Sequence, residues 1–204
     1  EGIWHKTGTI GDVGCNSFFP TKNLGCFGDG GAITTNNDNL AEKCRMIASH
    51  GQKKKYYHSV LGCNSRLDTL QAAILIVKLK YLNQYISCRQ KAADIYSQHL
   101  SKLKWLTIPF QSDFGRHTYN QYTLIIKNGL RDEFQQYLRL KGIPTMIYYP
   151  LPLYKQEAFI NYFQGKMFLP ITEHLCESVI SIPMHTELNL QIQEEIIKAI
   201  IDFR

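Results

Sequence analysis

The chain has 204 residues, 44% of them hydrophobic and 20% charged, which is ordinary globular usage and excludes intrinsic disorder and collagen-like structure. Its net charge of +6 is mild and scattered apart from Lys53-Lys54-Lys55, so it suits an anionic small molecule at least as well as a nucleic acid. The longest apolar stretch, residues 72–77, is too short to span a bilayer, so no membrane association is expected.

In chain order, residues 12–35 are dense in glycine, with short strand-like pieces at 13–19 and 32–35. Asn37 or Asp38 is placed to cap a helix running to about His50, with Leu40, Cys44 and Ile47 on one face and Gly51 as its stop. A polar, basic loop follows. From about Arg66 the spacing of Leu67, Leu70, Ile74 and Val77 predicts a helix that persists to about Leu100, with a break near residues 82–85. That length suggests a link between two domains.

Composition changes after Pro109. Residues 119–127 read as a strand, 131–141 as a helix ended by Gly142, and 145–149 as another strand. A loop rich in proline and aromatics, Tyr149-Pro150-Leu151-Pro152-Leu153-Tyr154, comes next. The chain closes with a short strand at 179–182 and an amphipathic helix bearing Ile192, Ile196, Ile197, Ile200 and Ile201. Strand, helix, strand, strand and helix in that order predict a small α+β domain.

None of the six cysteines sits in a C-x-x-C pair, and no Cys/His group has metal-ligand spacing. They read as free thiols in a reducing cytoplasm, with no metal.

The densest chemical signal is Asn16-Ser17-Phe18-Phe19-Pro20-Thr21-Lys22-Asn23-Leu24-Gly25, running into Gly28-Asp29-Gly30-Gly31. Hydroxyls at Ser17 and Thr21 bracket Lys22, aromatics and a proline surround them, and glycines permit close backbone approach. In a semi-apolar cleft a lysine loses solvation and becomes the neutral amine that Schiff-base chemistry requires. A solvated lysine in a surface turn is the alternative that spacing alone leaves open. The glycines match neither a P-loop nor a dinucleotide fingerprint.

This segment resembles the cofactor-lysine segment of the DegT/DnrJ/EryC1/StrS sugar aminotransferases, pyridoxal-phosphate (PLP) enzymes of the aspartate aminotransferase type I fold. Three further stretches agree in order: His50-Gly51 with Gly62-Cys63-Asn64-Ser65-Arg66-Leu67-Asp68-Thr69-Leu70-Gln71-Ala72-Ala73, then Tyr149-Pro150-Leu151-Pro152-Leu153, then Ile182-Pro183-Met184-His185. The resemblance implies an α/β chain made of two parts. Residues 1–82 would be the remainder of the large PLP-binding domain, and 83–204 a long linking helix with a small α+β C-terminal domain.

The resemblance also implies roles. Lys22 matches the lysine that holds the cofactor as an imine and shuttles the proton, and Ser17 the hydroxyl that binds the cofactor phosphate. Asn64 matches an asparagine that reaches the phosphate of the neighbouring subunit's site, which implies a homodimer with shared active sites. Arg66 lies where it could meet the anionic part of a nucleotide-sugar bound in that neighbouring site; the residues alone also allow Asn64 to cap the following helix and Arg66 to be a solvated first-turn residue. Tyr148 and Tyr149 flank the substrate pocket. Tyr148 and Tyr154 stand where many relatives carry His, and Tyr148 and Tyr149 also fit strand-end aromatics packed on the core.

The reaction implied is transfer of an amino group from L-glutamate to a keto nucleotide-sugar. The motifs look most like those of enzymes that aminate a UDP-linked 3-keto 2-acetamido sugar uronate for O-antigen synthesis. Enzymes making 3- or 4-amino deoxy sugars on dTDP or UDP are close competitors. A relative that performs dehydration carries His in place of the lysine, so Lys22 argues for amino transfer. The family's acidic partner of the pyridine nitrogen, its stacking aromatic and its phosphate loop would lie upstream of Glu1, which is not Met and is expected to be internal to a longer protein. These 204 residues alone are therefore expected to bind PLP poorly and to be inactive. A non-catalytic remnant of such an enzyme is a competing reading, and so is nucleic-acid binding through Lys53-Lys54-Lys55-Tyr56-Tyr57-His58, although the resemblance implies no nucleic-acid partner.

Overall fold

The glycine-rich start folds back on itself as a hairpin. In the computed structural model, which describes residues 3–163 and 167–204 and so leaves Glu1 outside, β1 (Gly14–Ser17) pairs antiparallel with β2 (Gly31–Thr34), Ser17 facing Gly31. Helix α1 (Asp38–Ala48) starts where Asn37 Oδ1 accepts from the Leu40 amide at 3.1 Å, satisfying one of the orphan donors of the first turn. It ends at Ser49, and Gly51 then turns the chain with φ +75°; a Cβ there would lie 1.7 Å from the Val60 carbonyl oxygen, so only glycine fits. Where a loop was expected, β3 (Gln52–Lys54) and β4 (Tyr57–His58) form a small antiparallel hairpin with a register shift.

The helical stretch that follows breaks earlier than predicted. Helix α2 spans Thr69–Leu79 and α3 spans Leu82–Leu100, with Lys80 and Tyr81 between them, and Leu67 lies before α2. The expected apolar face of α2 is not its buried face. Leu75 is its one buried residue, while Leu70 and Val77 are 70% and 56% exposed. In α3 the buried stripe is Arg89, Ala92, Ala93, Tyr96 and Leu100, at the i, i+3, i+4, i+7 and i+11 spacing of one helical side.

The chain folds as two compact units, Glu1–Asn83 and Gln84–Arg204. The second contains an antiparallel three-stranded sheet in the order β5 (Leu106–Thr107), β6 (Tyr122–Ile126), β7 (Val179–Ile182). Tyr122 faces Ile182, and Leu106 faces Ile126. Along β6, Tyr122, Leu124 and Ile126 are buried, as the period of two in a strand requires. They join Tyr96, Leu100, Phe134, Leu138, Ile180, Ile196, Ile197 and Ile200 in one core. Helix α4 (Arg131–Leu140) supplies Phe134 and Leu138, and Gly142 follows it at φ +74°.

Residues 145–149 do not form the expected strand. Only Met146 bridges to Ser181, because Pro144 and Pro150 bracket the segment and each lacks a ladder donor. The proline-rich loop closes into a 3-10 turn (Leu153–Lys155), followed by α5 (Ile160–Phe163) and α6 (Pro170–Ser178), neither of which was expected. Helix α7 (Leu190–Ile201) ends the chain, capped by Asn189 Oδ1 on the Ile192 amide at 2.8 Å. Its buried face carries Ile196, Ile197 and Ile200, whereas Ile192 and Ile201 are exposed.

Candidate functional site

Ser17 ends β1, and the chain then leaves the hairpin as a loop pinched at its base. The Phe18 amide donates to Gly30 O at 2.7 Å, and Phe18 O accepts from both the amide (2.8 Å) and the thiol (3.0 Å) of the fully buried Cys26. Inside the pinch, the Lys22 amide donates to Phe19 O at 2.8 Å and closes a tight turn. Gly25 packs under that turn: a Cβ there would approach Pro20 O to 2.5 Å and Phe19 O to 2.8 Å. From α2, Lys78 Nζ donates to Gly25 O, and Gln71 Oε1 accepts from the Phe27 amide at 2.7 Å. The loop is thus held largely through its backbone.

Ser17 Oγ accepts from the Phe19 amide at 3.3 Å and is exposed. Lys22 is exposed too, and among the described residues its ammonium meets no hydrogen-bond or ion-pair partner. The described residues by themselves do not form the semi-apolar cleft expected around Lys22. Its turn stands at the tip of the loop; Gly25 serves the turn's own carbonyls, whereas Gly30 and Gly31 line a cavity of about 810 Å³.

Asn64 and Arg66 lie on an extended segment hung from the C-terminal end of α1. Asn64 bridges to Ser49, the His50 amide donates to Cys63 O at 2.9 Å, and the Ser65 amide to Ala48 O at 3.0 Å. Both side chains are exposed. The helix-capping alternative for Asn64 is excluded, since Asp68 is the N-cap of α2, and Arg66 precedes the helix rather than lying in its first turn. Arg66 does line a cavity of about 810 Å³, with Asn16, Asp29, Arg45 and Ser65 among its polar walls.

In the second unit, Tyr148 and Tyr149 are exposed rather than packed on the core, their rings edge-to-face at 5.6 Å. They border a cavity of about 500 Å³ with Pro150, Leu151, Thr172 and Leu175. The Ile182-Pro183-Met184-His185 motif proves to be a tether: Tyr96 OH donates to Pro183 O at 3.0 Å, and Arg89 Nη1 to Met184 O at 2.9 Å. Arg89 also reaches the carbonyls of Tyr119 and Asn120, and burial without a carboxylate partner lowers its pKa. Its place on the buried stripe of α3 was the signal for it, overlooked because basic residues are usually solvated.

A family model described as the DegT/DnrJ/EryC1/StrS aminotransferase family matches residues 1–201. The chain is 46% identical to a "pleiotropic regulatory protein" of Geobacillus stearothermophilus, over 96% of this chain and 53% of that one. It is 44% identical to a UDP-2-acetamido-2-deoxy-3-oxo-D-glucuronate aminotransferase of Pseudomonas aeruginosa, over 88% of this chain and 48% of the relative. The crystal structure of a DegT DnrJ EryC1 StrS aminotransferase from Brucella abortus superposes with a TM-score of 0.86 at 36% identity, covering 96% of this chain and 52% of that one. The chain therefore belongs to the DegT/DnrJ/EryC1/StrS aminotransferase family, whose aminotransferases depend on PLP, and it spans about half the length of the relatives it matches.

Proposed function

We propose that the protein is a PLP-dependent aminotransferase that moves an amino group from L-glutamate to a keto nucleotide-sugar. The acceptor on this reading is a UDP-linked 3-keto 2-acetamido sugar uronate, made in the cytoplasm for cell-surface polysaccharide such as O-antigen. The carrying observation is the loop of Ser17 and Lys22: a partner-free amine follows an exposed hydroxyl by five residues, on a backbone fixed by Cys26, Gly30 and α2.

These residues fit the cofactor. A primary amine with no competing carboxylate is available for its aldehyde, and the hydroxyl of Ser17 and amide of Asn64 supply neutral donors suited to its phosphate. When bound, the pyridine ring supplies the electron sink for a carbanion at the amino-bearing carbon. Lys22 Nζ would hold the cofactor through its aldehyde carbon. Released as a free amine, it takes the proton from the donor's α-carbon and, in the second half-reaction, returns a proton to the sugar carbon that receives nitrogen. Arg66 meets the anionic part of a nucleotide-sugar bound in the neighbouring subunit's site, and Tyr148 and Tyr149 flank a sugar-binding cavity of their own unit.

Asn64 serves the neighbouring subunit's phosphate, so the active unit is a homodimer. Ile33, Ile47, Leu70 and Val77 of the first unit are exposed and the chain spans about half the length of its relatives, so the 204 residues alone bind PLP poorly. Mass spectrometry of products from the protein expressed from its complete coding sequence, given glutamate and a panel of keto nucleotide-sugars, tests the reading. Amination of the UDP-linked uronate is expected. Amination of dTDP-linked sugars alone overturns the acceptor, and no amination of any of them leaves the non-catalytic remnant.

A further inference from the structure

We infer that Glu173 is a positioning residue that holds the 148–153 wall in place for the nucleotide-sugar, an inference that rests on the proposed role of Tyr148 and Tyr149. The wall is a span anchored at its two ends. Upstream, Met146 exchanges two backbone hydrogen bonds with Ser181 of β7, at 3.0 and 2.7 Å. Downstream, Tyr154 OH donates to one carboxylate oxygen of Glu173 and Lys155 Nζ lies 2.9 Å from the other. Between these anchors, among the described residues, no hydrogen bond reaches residues 147–151.

The two anchors differ in kind. The first is main chain on main chain and tolerates most substitutions. The second is made mostly by one side chain, both of whose carboxylate oxygens are engaged, with the Leu169 backbone also bonding the Tyr154 hydroxyl. Its base is firm: Arg131 Nη1 donates to Cys176 O at 3.1 Å, Ser178 Oγ to His174 O at 2.6 Å, and Cys176 and Ser178 are buried, so the C-terminal half of α6 belongs to the core. Helix α6 also contributes Thr172 and Leu175 to the cavity that the tyrosines border. Glu173 thus ties the loosely bonded wall of that cavity to its fixed wall. Without the carboxylate, residues 148–153 lose the main part of their downstream anchor and are held by Met146, the buried Pro152 and the Tyr154–Leu169 contact, so the wall loosens.

The test uses the protein from its complete coding sequence with Glu173→Ala, Glu173→Gln and Tyr154→Phe, read by amide hydrogen exchange and by steady-state kinetics. In Glu173→Ala, exchange of the Lys155 and Gln156 amides, which donate to Pro152 O and Leu153 O, accelerates about tenfold. The KM for nucleotide-sugar rises by a similar factor, while the rate of the glutamate half-reaction stays at wild type. Glu173→Gln and Tyr154→Phe, which each keep part of the contact, fall between. Unchanged exchange overturns the inference, and so does faster exchange with an unmoved sugar KM. If the wild-type protein aminates no nucleotide-sugar, the functional reading fails and the sugar role of Glu173 goes with it, while exchange still reports whether the carboxylate pins the wall.

Discussion

Residues up to Asn83 bury almost nothing apolar, Cys26 and Leu75 being the buried hydrophobics there, whereas residues from Gln84 onward wrap sixteen buried hydrophobics into one cluster. Yet the first unit carries the candidate lysine, its hydroxyl neighbour, Asn64 and Arg66. It holds them by main-chain hydrogen bonds and by glycines that allow backbone to touch backbone. The second unit is stabilised by side-chain packing and supplies aromatic walls. Burial drives the folding of one unit; in the other, backbone geometry places chemistry on a surface left open.

The contrast is broken or sharpened by substitution. The largest effect is expected at Lys22: Lys22→Ala lowers amino transfer by at least about 10⁴-fold in the protein from its complete coding sequence, measured by single turnover, and leaves the melting of the second unit unmoved. Phe134 packs its ring 5.1 Å from Trp105 and 5.0 Å from Phe203 and is fully buried. Phe134→Ala is expected to cost about 3–5 kcal/mol in denaturant unfolding.

Alkali probes the same core. Burial raises the phenol pKa of Tyr122 to about 12 against an ordinary 10.0, with the Ser97 hydrogen bond opposing, and burial raises that of Tyr96 as well. The folded state therefore favours the neutral phenol. Stability is complete below pH 10, where the unfolded phenol is also neutral, and it falls as pH rises towards the folded value. The Tyr122 share is on the order of 2–3 kcal/mol, read as melting temperature between pH 8 and 12, and Tyr122→Phe flattens that fall.

In the first unit, Gly25→Ala forces a methyl against Pro20 O and is expected to cost about 1–3 kcal/mol locally, seen as faster exchange of the Lys22 amide. At Leu70, 70% exposed, Leu70→Ala should change the stability of the 204-residue chain by less than about 0.5 kcal/mol. A larger loss there would show that this unit has a core after all.

Local signals were legible where one residue decides the geometry. Asn37 caps α1, Gly51 and Gly142 turn the chain after their helices, and the strand read at 119–127 is β6. The motif around Lys22 was equally legible, because hydroxyl, lysine and glycines at fixed offsets are a local pattern, and the family comparison bears out the resemblance that it carried. What failed depended on long-range contacts. Periodicity marked Leu70 and Val77 as apolar without saying that nothing in this chain covers them. Pro170 at the first turn of α6 was a readable start signal, but the preceding aromatic loop masked the helix behind it. The surroundings of Lys22 were not legible for a related reason: a glycine-rich sequence does not tell which glycines line a cavity, as Gly30 and Gly31 do, and which pack under a turn, as Gly25 does.

The central claim is that the Lys22 amine carries the cofactor. Borohydride reduction of the PLP-loaded protein from its complete coding sequence, followed by peptide mass mapping, tests it most directly. A stoichiometric reduced adduct on Lys22 is predicted; an adduct on another lysine, with Lys22 unmodified, contradicts the account.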